Sequence, residues 1–185
     1  MKHARLLDLT RSLRRVGQTV TGIDRVERAY LHHLPELHQP VFGLARTELG
    51  YLLLDPSGLA RFRERLDRDA DWVPADLLSR LTRIGKPDIA AAETSLRTDA
   101  WARCVPSGLA RMLKRILPVG FSYFNVGHSN LTDRVLAAVA TAGGTSHVMV
   151  HDVIPLAYPE YQRPETVEPF RAQLRRVAQR ADRVI

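Results

Sequence analysis

Three short polar clusters in this 185-residue chain carry residue types that do chemistry: "TGIDR" at 21 to 25, "GHSN" at 127 to 130 and "HD" at 151 to 152. In the first, Gly22 lets the backbone come close to a ligand, and the free amides of a helix starting near Ile23 favour an anion or a sugar hydroxyl. Thr21 is equally suited to capping that helix. In the second, Ser129 beside His128 suggests a nucleophile and its base, but the GxSxG elbow is absent. Asn130 then reads as a cap for the next helix, with His128 either facing a cleft or structural. In the third, His151 leaves the apolar run "SHVMV" and is followed by Asp152 and "IPL", with Pro155 stiffening the exit. A neutral imidazole there could donate to a sugar hydroxyl or to a backbone carbonyl, while Asp152 fixes its tautomer or caps the loop.

Metal binding finds no support in the spacing. His147 and His151 lie along a strand, about 13 Å apart at roughly 3.3 Å per residue, too far to share an ion. His32 and His33 are adjacent on a helix and point in different directions. Cys104 is the lone cysteine, which excludes an internal disulfide and fits a reducing compartment.

The elements that must position these clusters alternate in type. "ARLLDL" reads as a strand and "GIDRVERAYLHHL" as a helix with Ile23, Val26, Tyr30 and Leu34 at helical spacing. "QPVFGLAR" and "GYLLLD" read as strands, the second stopped by "PSG" at 56 to 58, and residues 59–118 read as mostly helical. From Gly120 the pattern is strand "FSYFNV", helix "TDRVLAAVATAGG" capped by Thr132, strand "SHVMV", helix "ETVEPFRAQLRRVAQRA" and a last apolar run "DRVI". In the final helix Val167, Phe170, Leu174, Val177 and Ala181 share one face. Alternation of this kind predicts an α/β fold with a mostly parallel sheet and helices on both faces. Each cluster then falls outside the carboxyl ends of the strands, where such sheets bind ligands.

Composition bounds the rest. Apolar content of 45% and charged content of 25% suit a globular chain. Arg5, Asp8 and Arg11 interrupt what a signal peptide would need as its apolar region, and the stretch free of charged residues from 135 to 151 is broken by glycines and histidines. The net charge is +7, and since Lys2, Lys86 and Lys114 are the only lysines among 27 basic residues, 24 are arginines. Nucleic-acid phosphates, an anionic membrane surface, or arginine-rich codon usage would each account for this. No helix-turn-helix, zinc-finger or RNA-binding aromatic pattern accompanies it, so no nucleic-acid partner is expected.

"TGIDRVERAYLHHL", "YFNVGHSNL" and "HDVIPLAYPEYQRPE", followed by "FRAQLRRVAQRADRVI", resemble in order and spacing the N-terminal half of family 4 glycosyltransferases, mannosyltransferase-like members in particular. The resemblance covers roughly residues 20–55 and 120–185. It implies a Rossmann-like domain forming the acceptor side of a GT-B enzyme, spanning 1–185 with a helical insertion at about 59–118. It further implies a retaining transfer of a hexose such as mannose from a nucleotide sugar to a glycan or lipid-linked acceptor, without cofactor or metal, in the cytoplasm or at the inner face of the membrane. Gly22 and its neighbours Thr21, Asp24 and Arg25 correspond to the loop approaching the donor sugar. His151, with Asp152, corresponds to the family histidine on the transferred sugar, and Gly127, His128, Ser129 and Asn130 join the substrate cleft. The nucleotide-binding half is absent from these residues, and because Ile185 stops inside an apparent strand the natural chain is expected to continue. On its own the chain is expected to be inactive. A non-catalytic glycan-binding or partner-dependent domain, and a basic nucleic-acid-binding module, are the alternative readings.

Overall fold

A computed structural model describes residues 3–68 and 72–185. Strand β1 (Arg5–Asp8) runs into a short helix α1 (Thr10–Arg14), then α2 (Gly22–His33), β2 (Val41–Arg46) and β3 (Tyr51–Leu54). Next come α3 (Pro56–Arg68), α4 (Leu77–Thr82), α5 (Pro87–Asp99), β4 (Ala102–Cys104) and α6 (Leu109–Ile116). The chain finishes with β5 (Ser122–Asn125), α7 (Asp133–Thr141), β6 (Thr145–Val148), a single turn α8 (Ile154–Ala157), α9 (Pro164–Arg180) and β7 (Arg183–Val184). The helical middle expected at 59–118 is present, except that residues 69–71 lie outside the described residues and β4 interrupts it.

The strands form one sheet in the order β4-β3-β2-β1-β5-β6-β7. β2, β1, β5, β6 and β7 are parallel, whereas β3 and β4 pair antiparallel on one edge. The fold is thus α/β and Rossmann-like, with a mostly parallel sheet. Neighbouring residues along β1 serve opposite faces: Leu6 packs with Leu113, Tyr123 and Val135, and Leu7 with Leu31, Phe62 and Leu96. Strands buried on both sides read as continuous apolar runs, as "YLLL" does.

After β1 the chain turns to β2 on one side, and the strand on β1's other side, β5, arrives only after the helical middle. The loops leaving β1 and β5 therefore diverge in opposite directions and open a crevice at the carboxyl edge. Left-handed backbone shapes that edge, with φ of 57° at His128 and 61° at Asn130. Among the described residues no helix is long and apolar enough to cross a membrane.

Candidate functional site

Asp8 ends β1 and is the hub of the edge. It is buried, and its carboxylate accepts from Thr10 N (3.0 Å), the Tyr123 hydroxyl (2.8 Å) and Asn130 Nδ2 (2.8 Å). Asn125 Nδ2 donates to the Tyr123 hydroxyl at 3.0 Å and to the Ser129 carbonyl at 2.7 Å, and Tyr51 donates to Asn130 Oδ1 at 3.4 Å. Burial raises the pKa of Asp8 despite these donors, because dehydration of the anion outweighs them. Asn130 is therefore a ligand of the hub and not the expected helix cap. Thr132 takes that role, accepting from Val135 N at 3.3 Å.

A second carboxyl group lies nearby. Glu27 is fully buried in α2, accepts from Ser12 N at 3.3 Å through Oε1, and leaves Oε2 without a partner. Dehydration, then the negative charge of Asp8, push it up to about 8. A Cβ at Gly127 would collide with Glu27 Oε2 and crowd Arg11, so only glycine lets the β5 loop settle against α2. Of the expected apolar face, Ile23, Val26 and Tyr30 are only half-buried and Leu34, just past the end of α2, is buried, while Asp24, Glu27 and Leu31 point inward. The helix is rotated by its ion pairs. Arg11 Nε meets Asp24 Oδ1 at 2.6 Å, Arg15 Nε meets Asp24 Oδ2 at 3.2 Å, and Thr21 N donates to the same carboxylate at 2.7 Å. These donors hold Asp24 below the usual carboxylate range even though partial burial opposes them.

The first cluster thus divides. Thr21 is the N-cap of α2 and Asp24 its brace, so neither is free to face a ligand. Gly22 is exposed with no atom within 4 Å of where a Cβ would stand, and Arg25 is exposed. The expected strand-to-helix step at this cluster also contains α1, whose five residues the apolar spacing did not reveal.

The two histidines come together. Their rings meet edge to face with centroids 4.9 Å apart. His128 Nε2 donates to the Met149 carbonyl and His151 Nε2 to the Val126 carbonyl, each at 2.7 Å. A carbonyl can only accept, so both rings carry their proton on Nε2 and keep Nδ1 as the acceptor when neutral. Burial holds His128 below the usual histidine range and therefore neutral at pH 7. The tautomer of His151 is set by Val126. Asp152 is exposed and accepts from Ile154 N at 3.1 Å, which closes a local turn in the loop just before α8. Ser129 contributes its carbonyl to Asn125. His147 stacks on Phe124 at 4.8 Å, away from this pair.

At the carboxyl edge the chain therefore brings His128 and His151 together near the buried Asp8–Asn125–Asn130 network, with Gly127 packed against Glu27 and Arg11. Asp8, Arg11, Glu27, Tyr123 and Asn125 were not anticipated from the sequence. Cavities of about 320 and 520 Å³ lie elsewhere, beside β3–β4 and beside α4–α5. No group of three His, Cys, Asp or Glu that could hold a metal ion occurs among the described residues. No protein-family model, curated protein or solved structure significantly matches the chain.

Proposed function

We propose that this chain is the acceptor-side part of a retaining glycosyltransferase that moves a hexose, with mannose the leading candidate, from a nucleotide sugar to a glycan or lipid-linked acceptor. The observation that carries the reading is the histidine pair at the carboxyl edge. Two neighbouring imidazoles, each fixed as the Nε2–H tautomer by a backbone carbonyl, offer Nδ1 lone pairs that can accept from sugar hydroxyls. Gly22, exposed and unobstructed at the start of a 12-residue helix, supports close approach of the anionic end of a donor. In this scheme the glycosidic bond to phosphate breaks as the acceptor hydroxyl adds to the same face of an oxocarbenium-like centre, and the hydroxyl proton passes to the departing phosphate. His151 orients the transferred sugar and stabilises developing charge.

Titration of the 15N-labelled chain with oligosaccharides and with nucleotide sugars tests this. Glycans are expected to shift the amides of Gly127, His128 and His151, and a nucleotide sugar those of Gly22 and Ile23. If shifts occur with glycans alone, a glycan-binding module replaces the transferase half. Absence of any shift at these positions overturns the proposal.

A further inference from the structure

Helix α6 divides its side chains sharply. Leu109, Met112 and Leu113 are buried in one core with Val135, Leu136 and Val139 of α7, whereas Arg111, Lys114 and Arg115 are exposed. Spacings of three and four residues put these cations on one helical face. Residues 100–132 hold Arg103, Arg111, Lys114 and Arg115 and no Asp or Glu. The carboxylates that bracket this segment are engaged elsewhere: Asp99 pairs with Arg61 at 2.8 Å and with Arg65, and Asp133 pairs with Arg176 at 3.0 Å and Arg180 at 3.2 Å. Among the described residues Arg111, Lys114 and Arg115, and the exposed Arg134 in the first turn of α7, form no ion pair.

The place of these cations in the fold gives them a direction. β4 is antiparallel to β3, which is antiparallel to β2, so β4 ends at the same carboxyl edge as β1 and β5. Helices α6 and α7 therefore both start at that edge and run back across the sheet, packed side by side. Arg111 and Arg134 lie in their first turns, Arg134 four residues after Asn130, and Lys114 and Arg115 follow a turn further along α6. A row of unpaired cations repels itself, and a polyanion relieves the repulsion. A bilayer would also need apolar side chains to enter it, but the exposed side chains of α6 are Arg111, Lys114 and Arg115. Single-stranded nucleic acid would need aromatic side chains under successive bases, and α6 and α7 carry none. What the row does have is continuity with the candidate acceptor edge, where the histidine pair lies.

We propose that Arg134, Arg111, Lys114 and Arg115 bind carboxylates of the acceptor, which is then an acidic, uronate-bearing glycan. Its end lies at the histidine pair and its next units run along α6. This rests on the transferase reading and narrows the acceptor from glycans in general to anionic ones.

Titration of the 15N-labelled chain with oligomannuronate, and with a β-1,4-linked mannose oligosaccharide of the same length, tests it, because the two ligands differ in the carboxylate. Oligomannuronate is expected to shift the amides of Arg111, Lys114, Arg115 and Arg134 together with those of His128 and His151. It should bind at least about tenfold more tightly than the neutral oligosaccharide at low salt, an advantage that shrinks as salt is added. An Arg111→Gln, Lys114→Gln, Arg115→Gln variant is expected to bind the two ligands equally. Arg80→Gln, Arg175→Gln, Arg183→Gln removes the same charge elsewhere and should keep the preference. All these side chains are exposed, so circular dichroism should show both variants folded. Equal affinity of the unaltered chain for the two ligands, with the His128 and His151 amides still shifting, overturns the inference and leaves the transferase reading standing. Shifts on α6 with His128 and His151 unmoved by either ligand, or no shifts at all, overturn both. An equal loss in the second variant also overturns the inference, because the attraction is then diffuse. So does binding of polyglutamate, oligothymidylate or phosphatidylglycerol vesicles through the same four residues as tightly as oligomannuronate, which would assign the row to an acidic protein, a nucleic acid or a membrane.

Discussion

Glu27 shows how a single buried carboxyl group sets the pH response of a fold. Its folded-state pKa of about 8 lies above the ordinary 4.5, so between those values the unfolded chain releases a proton that the folded chain keeps. Stability must therefore fall as pH rises through this window, by a total on the order of 4–5 kcal/mol. Glu27→Gln removes that proton from the balance, and urea denaturation at pH 5 and pH 8 should show a much smaller difference for the variant. The histidines are distinguished by a different pair of measurements. On the proposed transferase reading, His151→Ala is expected to lower turnover roughly a hundredfold to a thousandfold, with a stability loss of about 1 kcal/mol for the Val126 carbonyl left without its donor. His147→Ala should leave turnover within a few-fold and cost about 0.5–1.5 kcal/mol through lost stacking on Phe124. Normal turnover in a folded His151→Ala enzyme would make His151 a structural residue.

Helix α5 illustrates what an element can conceal, because its Glu93 is 1% exposed yet paired with Arg83, itself largely buried. Arg83→Ala leaves that carboxylate dehydrated with only the more distant Arg97, at 3.5 Å, to offset its charge, and thermal unfolding should report a loss of about 3 kcal/mol. Arg68→Ala, whose pair with Glu64 is well exposed, should cost less than about 0.5 kcal/mol. Elements of this kind also mark where the sequence stops being legible. The alternation of apolar runs and helical periods gives β1, β2, β5, β6 and the helices between them, because those patterns record burial directly. It misses β4, whose "ARC" carries no apolar run and is a strand only through antiparallel bonding to β3. Glu27 was detectable in principle, lying four residues after Ile23 and three before Tyr30 on the face read as apolar. Its burial depends on Ser12 and Gly127, which distant segments bring to it, as they bring Asn130 to Asp8. Periodicity carries no record of such partners.

At the scale of the whole molecule, the charge of +7 invites non-specific attraction to any polyanion. Fluorescence anisotropy with duplex and single-stranded oligonucleotides should show weak binding that fades with salt. Sub-micromolar, sequence-selective binding at physiological salt would displace the transferase reading in favour of a nucleic-acid module. The sheet gathers its polar groups where the loops after β1, β5 and β6 meet, and there His128 and Asn130 both hold left-handed backbone. Non-glycine residues keep that conformation only when their surroundings over-determine it. Met149 fixes His128, Asp8 fixes Asn130, and Asn125 fixes the Ser129 carbonyl between them. The conformational entropy of this loop has thus been given up on folding, before any ligand arrives. A molecule docking there meets a finished shape, so its association rate should follow diffusion and orientation, with no slow rearrangement in between.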